Sequence, residues 1–460
     1  MYHARFIRSS FTLQAFVFTG FVAASSLTLS EESETPPWDV SAPDYSADAQ
    51  EIELNVTEGT WMNLDVSPDG QHIAFDLLGD IYQIPITGGE ATPLLSGHAW
   101  EVQPQYSPDG QFLAFTSDRN GADNIWVIDL ADPDSKHQIT HESFRLLNNP
   151  SWHPSGDYLV AKKHFTTSRS LGTGEVWLYD ANVDQALERG DLQGSVLVKR
   201  PSPAFQKELG EPAFSSDGKS VFYIQNMTPG NTFIYHEDSN GEVMAIKRYD
   251  LETGDIEKVV GGAGGAVRPT PSPDGKTLAF VKRVRAASRL FIMDLASGEQ
   301  TMLVNDLDPD MQETWAVQGA YPTMAWTPDG ASIVYWSQGH IWRVDVTSGE
   351  TRQIPFSVND TRTAYPAVEV AVDVAPDTLT TTMPRFATQS PDGQSVVFES
   401  MGRLYLQREG SETKRLTRDR SAAIEFSPSF SPDGKDVYYL TWSDDNLGSV
   451  RKVSARGGRS

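Results

Sequence analysis

Nine histidines lie along the chain, at His3, His72, His98, His137, His141, His153, His164, His236 and His340. No two form the His-x-His pair or the His-Glu-x-x-His motif that holds a catalytic metal. His137 and His141 are four residues apart, a spacing that suits a shared metal only on a helix. Here they flank the end of a predicted strand, so no metal role is assigned to them. Nucleophilic catalysis of the hydrolase type needs a Gly-x-Ser-x-Gly elbow, and none is present. Gly172-Thr173-Gly174 and the run Gly261 to Gly265 lack both a following helix and a phosphate-binding Lys-Ser/Thr, so they read as flexible loops. No catalytic, cofactor-binding or metal-binding residue is therefore assigned. Arg283, Arg285 and Arg289, together with His164-Phe165, sit in or beside long connections and are the candidates for a binding face.

The elements that would carry such a face are set by one recurring turn. Ser-Pro-Asp-Gly stands at Ser67–Gly70, Ser107–Gly110, Ser272–Gly275, Ser390–Gly393 and Ser431–Gly434, with variants at His153–Gly156, Ser215–Gly218 and Thr327–Gly330. Ser, Pro with its φ preset, Asp and Gly are the residues a type I turn favours at its four positions. His153 takes the place of Ser in one copy. The repeated Asp is the default turn residue, and copies so far apart cannot converge on one calcium ion. After each turn come strand formers such as His72-Ile73-Ala74-Phe75, Phe112-Leu113-Ala114-Phe115 and Thr277-Leu278-Ala279-Phe280. A second strand follows in several units, for example Asn124 to Ile128 and His340 to Val344. It is closed by a Gly turn such as Gly88-Gly89 or Ser348-Gly349, and a short third strand comes next. The strand leading into the next turn is taken as the fourth. Trp126, Trp177 and Trp342 occupy equivalent second-strand positions, which marks them as packing between units rather than a ligand cage.

Four antiparallel strands per unit predict an all-β chain, a β-propeller of about eight visible blades with the last one incomplete. The excess over roughly 40–45 residues per blade is assigned to loops at Thr166 to Gly174, Asn182 to Gln206, Met227 to Asn240 and Val358 to Met383. No helical stretch is evident, which excludes a parallel α/β sheet with its amphipathic crossovers. Blade eight stops after Gly457-Gly458. Glu51 to Val56 is an alternating strand that would close an eight-bladed ring by pairing beside Ser449 to Val453. Truncation of a longer ring at the C-terminus is the favoured reading.

The chain has 460 residues, no cysteine and a net charge of -25. That charge excludes nucleic acid and anionic membrane as partners, because no basic stripe is available to neutralise phosphates. Without cysteine there is neither a disulfide framework nor a lipidated thiol. Arg5 and Arg8, the apolar stretch Phe11 to Ala24 and the small residues at its end read as a signal peptide over residues 1–24. A disordered leader rich in Glu, Ser, Pro and Asp is expected over 25–50, and the propeller over 51–460. The expected location is periplasmic or secreted.

The turn, its strand and the segment Thr116 to Val127 resemble the TolB-type propeller repeat, a relative of the WD repeat, over most of Trp61 to Arg456. The opening Glu58 to Gly70, its continuation through Phe75 to Tyr82 and Gly88-Gly89, and the late Thr441 to Gly448 resemble the N-terminal propeller of secreted bacterial amidohydrolases. In that family the metal is held by a His-x-His pair and further His and Asp residues of a C-terminal barrel. The resemblance therefore implies a non-catalytic propeller that gates or presents substrate to a barrel absent from this chain, with divalent zinc only in that barrel and the barrel itself as partner. A free-standing TolB-like scaffold for periplasmic proteins and the propeller of a prolyl oligopeptidase-like peptidase are the two alternatives.

Overall fold

A computed structural model describes residues 49–169, 171–182, 193–238, 240–365, 373–418 and 422–460. The expected signal peptide and nearly all of the expected leader lie outside the described residues. The described residues contain no α-helix. Seven four-stranded antiparallel sheets and one of three strands follow one another along the chain. Blades 1 to 6 run from Leu64 to Leu95, Glu101 to Gln138, Leu147 to Val198, Leu209 to Val260, Val267 to Val304 and Ala325 to Ile354. Blade 7 covers Arg385 to Arg415, and the three-stranded blade 8 covers Ile424 to Ser454.

The Ser-Pro-Asp-Gly turn owes its regularity to a local circuit. Gly70 N–H donates to Ser67 O at 2.8 Å. The Ser67 hydroxyl donates to Asp69 Oδ1 at 2.5 Å and accepts from His72 N–H at 2.9 Å. Asp69 Oδ1 also accepts Gln71 N–H at 2.9 Å. These bonds hold the Asp69 carboxylate below the usual carboxylate range, the Ser67 hydroxyl being the largest cause. Thr327 with Asp329 repeats the circuit at 2.6 Å. In the His153 copy the imidazole Nδ1 lies 2.8 Å from Ser155 Oγ, so the altered side chain still ties the turn. The closing Gly takes φ of +70° at both Gly70 and Gly110, where a Cβ would be strained.

Several expectations change. The strand before each turn pairs with the strand after it, as Glu101–Tyr106 does with Phe112–Ser117. It is thus the first strand of its own blade and not the fourth of the preceding one. The hairpin across the turn is the physical unit, because a tight turn joins antiparallel neighbours. Gln50–Val56, moreover, does not pair beside blade 8. It pairs in full register with Phe356–Ala364, from Gln50 opposite Ala364 to Val56 opposite Val358. Residues 358–364, expected as loop, are therefore strand. The expected loop Thr166 to Gly174 is strand at its two ends, with Gly172 opposite Thr166. The expected loop Asn182 to Gln206 holds the outer strand Ser195–Val198 of blade 3.

Six blades close into a ring. Leu64 N–H donates to Thr323 Oγ1 at 2.8 Å across 259 residues of sequence, and Thr323 N–H donates to Asn63 Oδ1 at 3.1 Å. Gly59 N–H reaches Gly339 O at 2.9 Å, and Trp336 Nε1 donates to Gly59 O at 2.7 Å. The turns meet in the same order: Pro68 lies against Gly110 of the next blade, and Pro328 of blade 6 against Gly70 of blade 1. No blade is shared between the two ends of the ring. The seam is instead covered by Phe356–Ala364, which leaves blade 6, runs parallel to Gly89–Glu90 of blade 1 and pairs with Gln50–Val56. One apolar cluster spans it, joining Ile73, Phe75 and Tyr82 to Trp326, Ile333 and Phe356. Each such side chain, fully buried, contributes about 1.5–3 kcal/mol. Trp126, Trp177 and Trp342 pack against the apolar clusters of the ring, in the packing role read from their spacing.

Blades 7 and 8 have their own cluster of Val397, Leu404, Leu416, Val437, Tyr439 and Val453.

Candidate functional site

In blades 2 to 5 the inner strand carries a bulge, and the residue placed there has a left-handed backbone: Gln103 (φ 60°), Asn149 (54°), Glu211 (49°) and Arg268 (55°). A bulge re-aims its side chain, and these four side chains form one polar layer. Gln103 N–H donates to Asp76 Oδ2 at 2.9 Å, Asn149 N–H to Gln103 Oε1 at 2.7 Å, and Arg268 N–H to Glu211 Oε2 at 2.6 Å. Arg268 Nη1 crosses to Asn149 Oδ1 at 3.0 Å. Asp76, Gln103 and Glu211 thus each satisfy a backbone donor of the next blade.

The segment 305–324, between blades 5 and 6, closes this layer from one side. Gln318 O accepts from Gln103 Nε2 at 2.7 Å, and Tyr321 O accepts from Arg268 Nε at 2.7 Å. Ala320 N–H donates to Glu211 Oε1 at 2.6 Å. Val317 O accepts from Lys162 Nζ at 2.6 Å, and the same ammonium is paired with Glu208. Farther out, Arg283 donates to Asp310 at 2.9 Å and to Glu313 at 2.6 Å, while Gln312 Nε2 reaches Gly264 O at 3.2 Å. Trp315 packs edge-on against His164, with ring centroids 5.4 Å apart. A main-chain segment held by buried side chains of blades 2, 3, 4 and 5 is a stopper, since every contact exchanges a buried polar group for a satisfied one.

On the other side of the layer a cavity of 270 Å³ reaches the Ser-Pro-Asp-Gly turns. Asp65, Ser151 and Thr270 line it with the aromatic rings of Trp152, Phe214 and Trp326. Asp65 accepts Tyr106 N–H at 2.8 Å. Burial pushes its carboxyl up to about 7, against the smaller opposing pull of the Tyr106 and Val66 amides. The folded-state value lies above the ordinary 3.8. The folded chain therefore holds this proton more tightly, and the stability it contributes is full near pH 4 and lost as the pH rises through 7. Thermal unfolding followed from pH 4 to 8 is expected to show a falling midpoint. In Asp65→Asn the fall is shallower and the midpoint at pH 8 is higher than in the native chain; an unchanged slope would count against this account.

The residues singled out from sequence are dispersed. Arg283 is buried in its ion pairs with the stopper, and His164 is buried beneath Trp315. Burial, the largest cause, with Lys162 and Arg200 nearby, pulls the His164 imidazole down to about 3, so it is neutral. Phe165 lies between the guanidinium groups of Arg145 and Arg200, 4.7 and 4.3 Å from its ring centroid. Arg285 and Arg289 sit on the hairpin of Thr277–Val284 and Ala287–Asp294 and take no part in the polar layer. Gly172-Thr173-Gly174 is strand. In Gly261 to Gly265 a methyl at Gly264 would collide with Arg283 O, so glycine there admits close backbone approach. His137 contacts Ser135 Oγ at 3.1 Å. The polar layer and the stopper were missed. Gln103, Asn149, Glu211 and Arg268 differ in type, and only their common offset before each turn would have found them.

No protein-family model matches the chain. An uncharacterized protein of Agrobacterium fabrum is 29% identical over 166 residues, 35% of this chain and 53% of that one. Tricorn protease homolog 1 of Streptomyces coelicolor is 24% identical over 300 residues, 64% of this chain and 25% of that one. The Tol-Pal system protein TolB of Francisella tularensis subsp. holarctica is 23% identical over 259 residues, 55% and 52% of the two chains. The crystal structure of TolB from Acinetobacter baumannii superposes with a TM-score of 0.47 at 16% identity, covering 65% of this chain and 64% of that one. The chain thus spans about half or less of the length of these curated relatives. Its fold is a β-propeller, and its sequence is similar to stretches of TolB and of a tricorn protease homolog.

Proposed function

We propose that the ring is a non-catalytic, protein-binding scaffold of the TolB kind, exported to the periplasm or beyond, and not a passage through which substrate is fed. The observation that carries this reading is the stopper. Val317, Gln318, Ala320 and Tyr321 lie across the polar layer with their main-chain groups bonded to four blades. A gating propeller needs an open axis, and opening this one would break the bonds of Lys162, Glu211 and Arg268 to Val317, Ala320 and Tyr321. Export rests on the composition of residues 1–24.

Attachment to a metal-dependent amidohydrolase is the finer reading. It rests on the likeness of Glu58 to Gly70 and Thr441 to Gly448 to that family's propeller, and it would place zinc in the barrel and not in these blades. In that setting the stoppered ring acts as a docking body beside the barrel. The test has two arms. Purified chain, with and without added zinc, is expected to turn over no member of an ester, amide and peptide panel. A photo-crosslinking residue at Pro273 on the turn face, or at Val284 on a hairpin tip, is expected to yield discrete protein adducts in cells. Turnover above the uncatalysed rate, or the absence of adducts from both positions, would overturn the proposal.

A further inference from the structure

The hairpin-tip side of blade 3 holds a spot of the wrong sign for so acidic a chain. Arg145, in the connection from blade 2, and Arg200, just past the outer strand of blade 3, both lie over the ring of Phe165. Beside them Lys163 sits 4.2 Å from the ring of Trp177 and is paired with Glu142. The two arginines are not so served. Among the described residues Arg145 has neither a carboxylate within ion-pair distance nor a hydrogen-bond acceptor for its guanidinium. Arg200 Nε is 3.8 Å from Glu175 Oε1, beyond hydrogen-bond reach. Both oxygens of Glu175 are already taken, by the main-chain N–H of Arg200 at 3.3 Å and by Trp177 Nε1 at 3.1 Å. Nη1 of Arg200 is buried with no partner at all. Apolar residues flank the pair. Phe144, next to Arg145 in the chain, is 74% exposed. On the other side Gln206 ties the tip of blade 3 to the tip loop of blade 4: its Nε2 donates to Thr167 Oγ1 and its Oε1 accepts Phe233 N–H, both at 3.3 Å. Tyr235 packs edge-on against Phe233, and Ile234 and Tyr235 are 54% and 56% exposed.

We propose that this spot binds an extended segment of the partner protein, acidic at its centre and apolar at its ends. The inference rests on the scaffold reading above and names the face used and the chemistry that it takes. A guanidinium has N–H donors and no acceptor, and its fork matches a carboxylate with two parallel charge-assisted bonds. The two guanidinium carbons are at most about 9 Å apart, since they lie 4.7 and 4.3 Å from one ring centroid. In an extended chain alternate side chains point the same way and recur about every 6.5–7 Å. Carboxylates at positions i and i+2 therefore reach both arginines, while the flanking residues of the segment fall toward Phe144 and toward Ile234 and Tyr235. The length of the acidic stretch is limited as well. A nucleic acid or an anionic membrane would set a long negative surface against a chain of net charge -25, whereas a short acidic stretch meets only the local positive field.

The probe is a fluorescently labelled peptide, Phe-Ala-Glu-Ala-Glu-Ala-Phe, read by polarisation at low salt. The unaltered chain is expected to bind it, and high salt to weaken the binding. Arg145→Gln and Arg200→Gln are each expected to lower the affinity about tenfold or more, the loss of one charge-assisted contact. Arg145→Lys, which keeps the charge over Phe165 and loses the fork, is expected to fall between. Arg352→Gln removes an exposed arginine already paired with Glu350 and is expected to change nothing. The isomer with its two Glu residues adjacent has the same charge, but its carboxylates point to opposite sides, so it is expected to bind less tightly. Absence of binding by the unaltered chain, undiminished binding by both Gln variants at Arg145 and Arg200, or equal binding of the two isomers would overturn the inference. So would displacement of the peptide by an equal concentration of inorganic phosphate, the mark of a general anion site. Discrete adducts from Pro273 or Val284 would leave the scaffold reading standing in each of those cases.

Discussion

Glu211→Ala is expected to lower the unfolding free energy by about 3–5 kcal/mol, the range found when one partner of a buried ion pair is removed. The carboxylate accepts Arg268 N–H and Ala320 N–H, both at 2.6 Å, and lies 3.3 Å from the guanidinium of Arg268. Its loss leaves two buried amides without their acceptor and the buried Arg268 cation without its counter-charge. Glu211→Gln keeps one acceptor oxygen and is expected to lose distinctly less. Urea unfolding followed by tryptophan fluorescence measures both, and Trp315 in the stopper gives a local signal besides the global one. Equal midpoints for Glu211→Ala and the native chain would mean that the stopper is not held as described.

Lys162→Met is the second large effect, again about 3–5 kcal/mol at neutral pH or above. Lys162 Nζ donates to both Glu208 and Val317 O, and both charged side chains are almost wholly buried. Burial pushes the Glu208 carboxyl up and Lys162 pulls it back down. With the lysine gone only the upward push remains. Glu208 then takes a proton on folding, and the loss of stability is smaller at pH 5 than at pH 8. The double variant Lys162→Met, Glu208→Leu is expected to recover much of the loss, because no unpaired charge remains in the interior. Failure of the second substitution to recover anything at pH 8 would show that the ammonium's bond to Val317 O, and not its charge, is what matters.

The repeat was legible because its physics is local. A Ser hydroxyl, an Asp carboxylate and a Gly at positive φ within four residues fix each hairpin, and alternation then sets the faces. Even the His153 copy could be placed. What could not be read was which blades meet. The seam joins Asn63 and Leu64 to Thr323 across 259 residues of sequence. A turn motif carries no information on whether the ring closes at six or eight. The strand Glu51 to Val56 was recognised, but the one partner weighed for it was Ser449 to Val453, since its alternation fits any edge of matching pattern and residues 358–364 had been read as loop. The stopper was hidden for a different reason. Residues 305–324 form almost no regular structure, and their function lies in main-chain carbonyls, which every residue has.

The way the ring closes sets the order of events in the life of the chain. Blade 1 carries no strand from the far end, so it can form as soon as Leu95 is made, yet its face of Ile73, Phe75 and Tyr82 has no cover until Phe356 arrives. At roughly 5–20 residues per second of synthesis the wait is on the order of tens of seconds. Through that interval the newborn blade 1 presents an apolar face that its final neighbour does not yet cover. Any companion that shields nascent blades would find its binding surface there first, and would be displaced when blade 6 swings home.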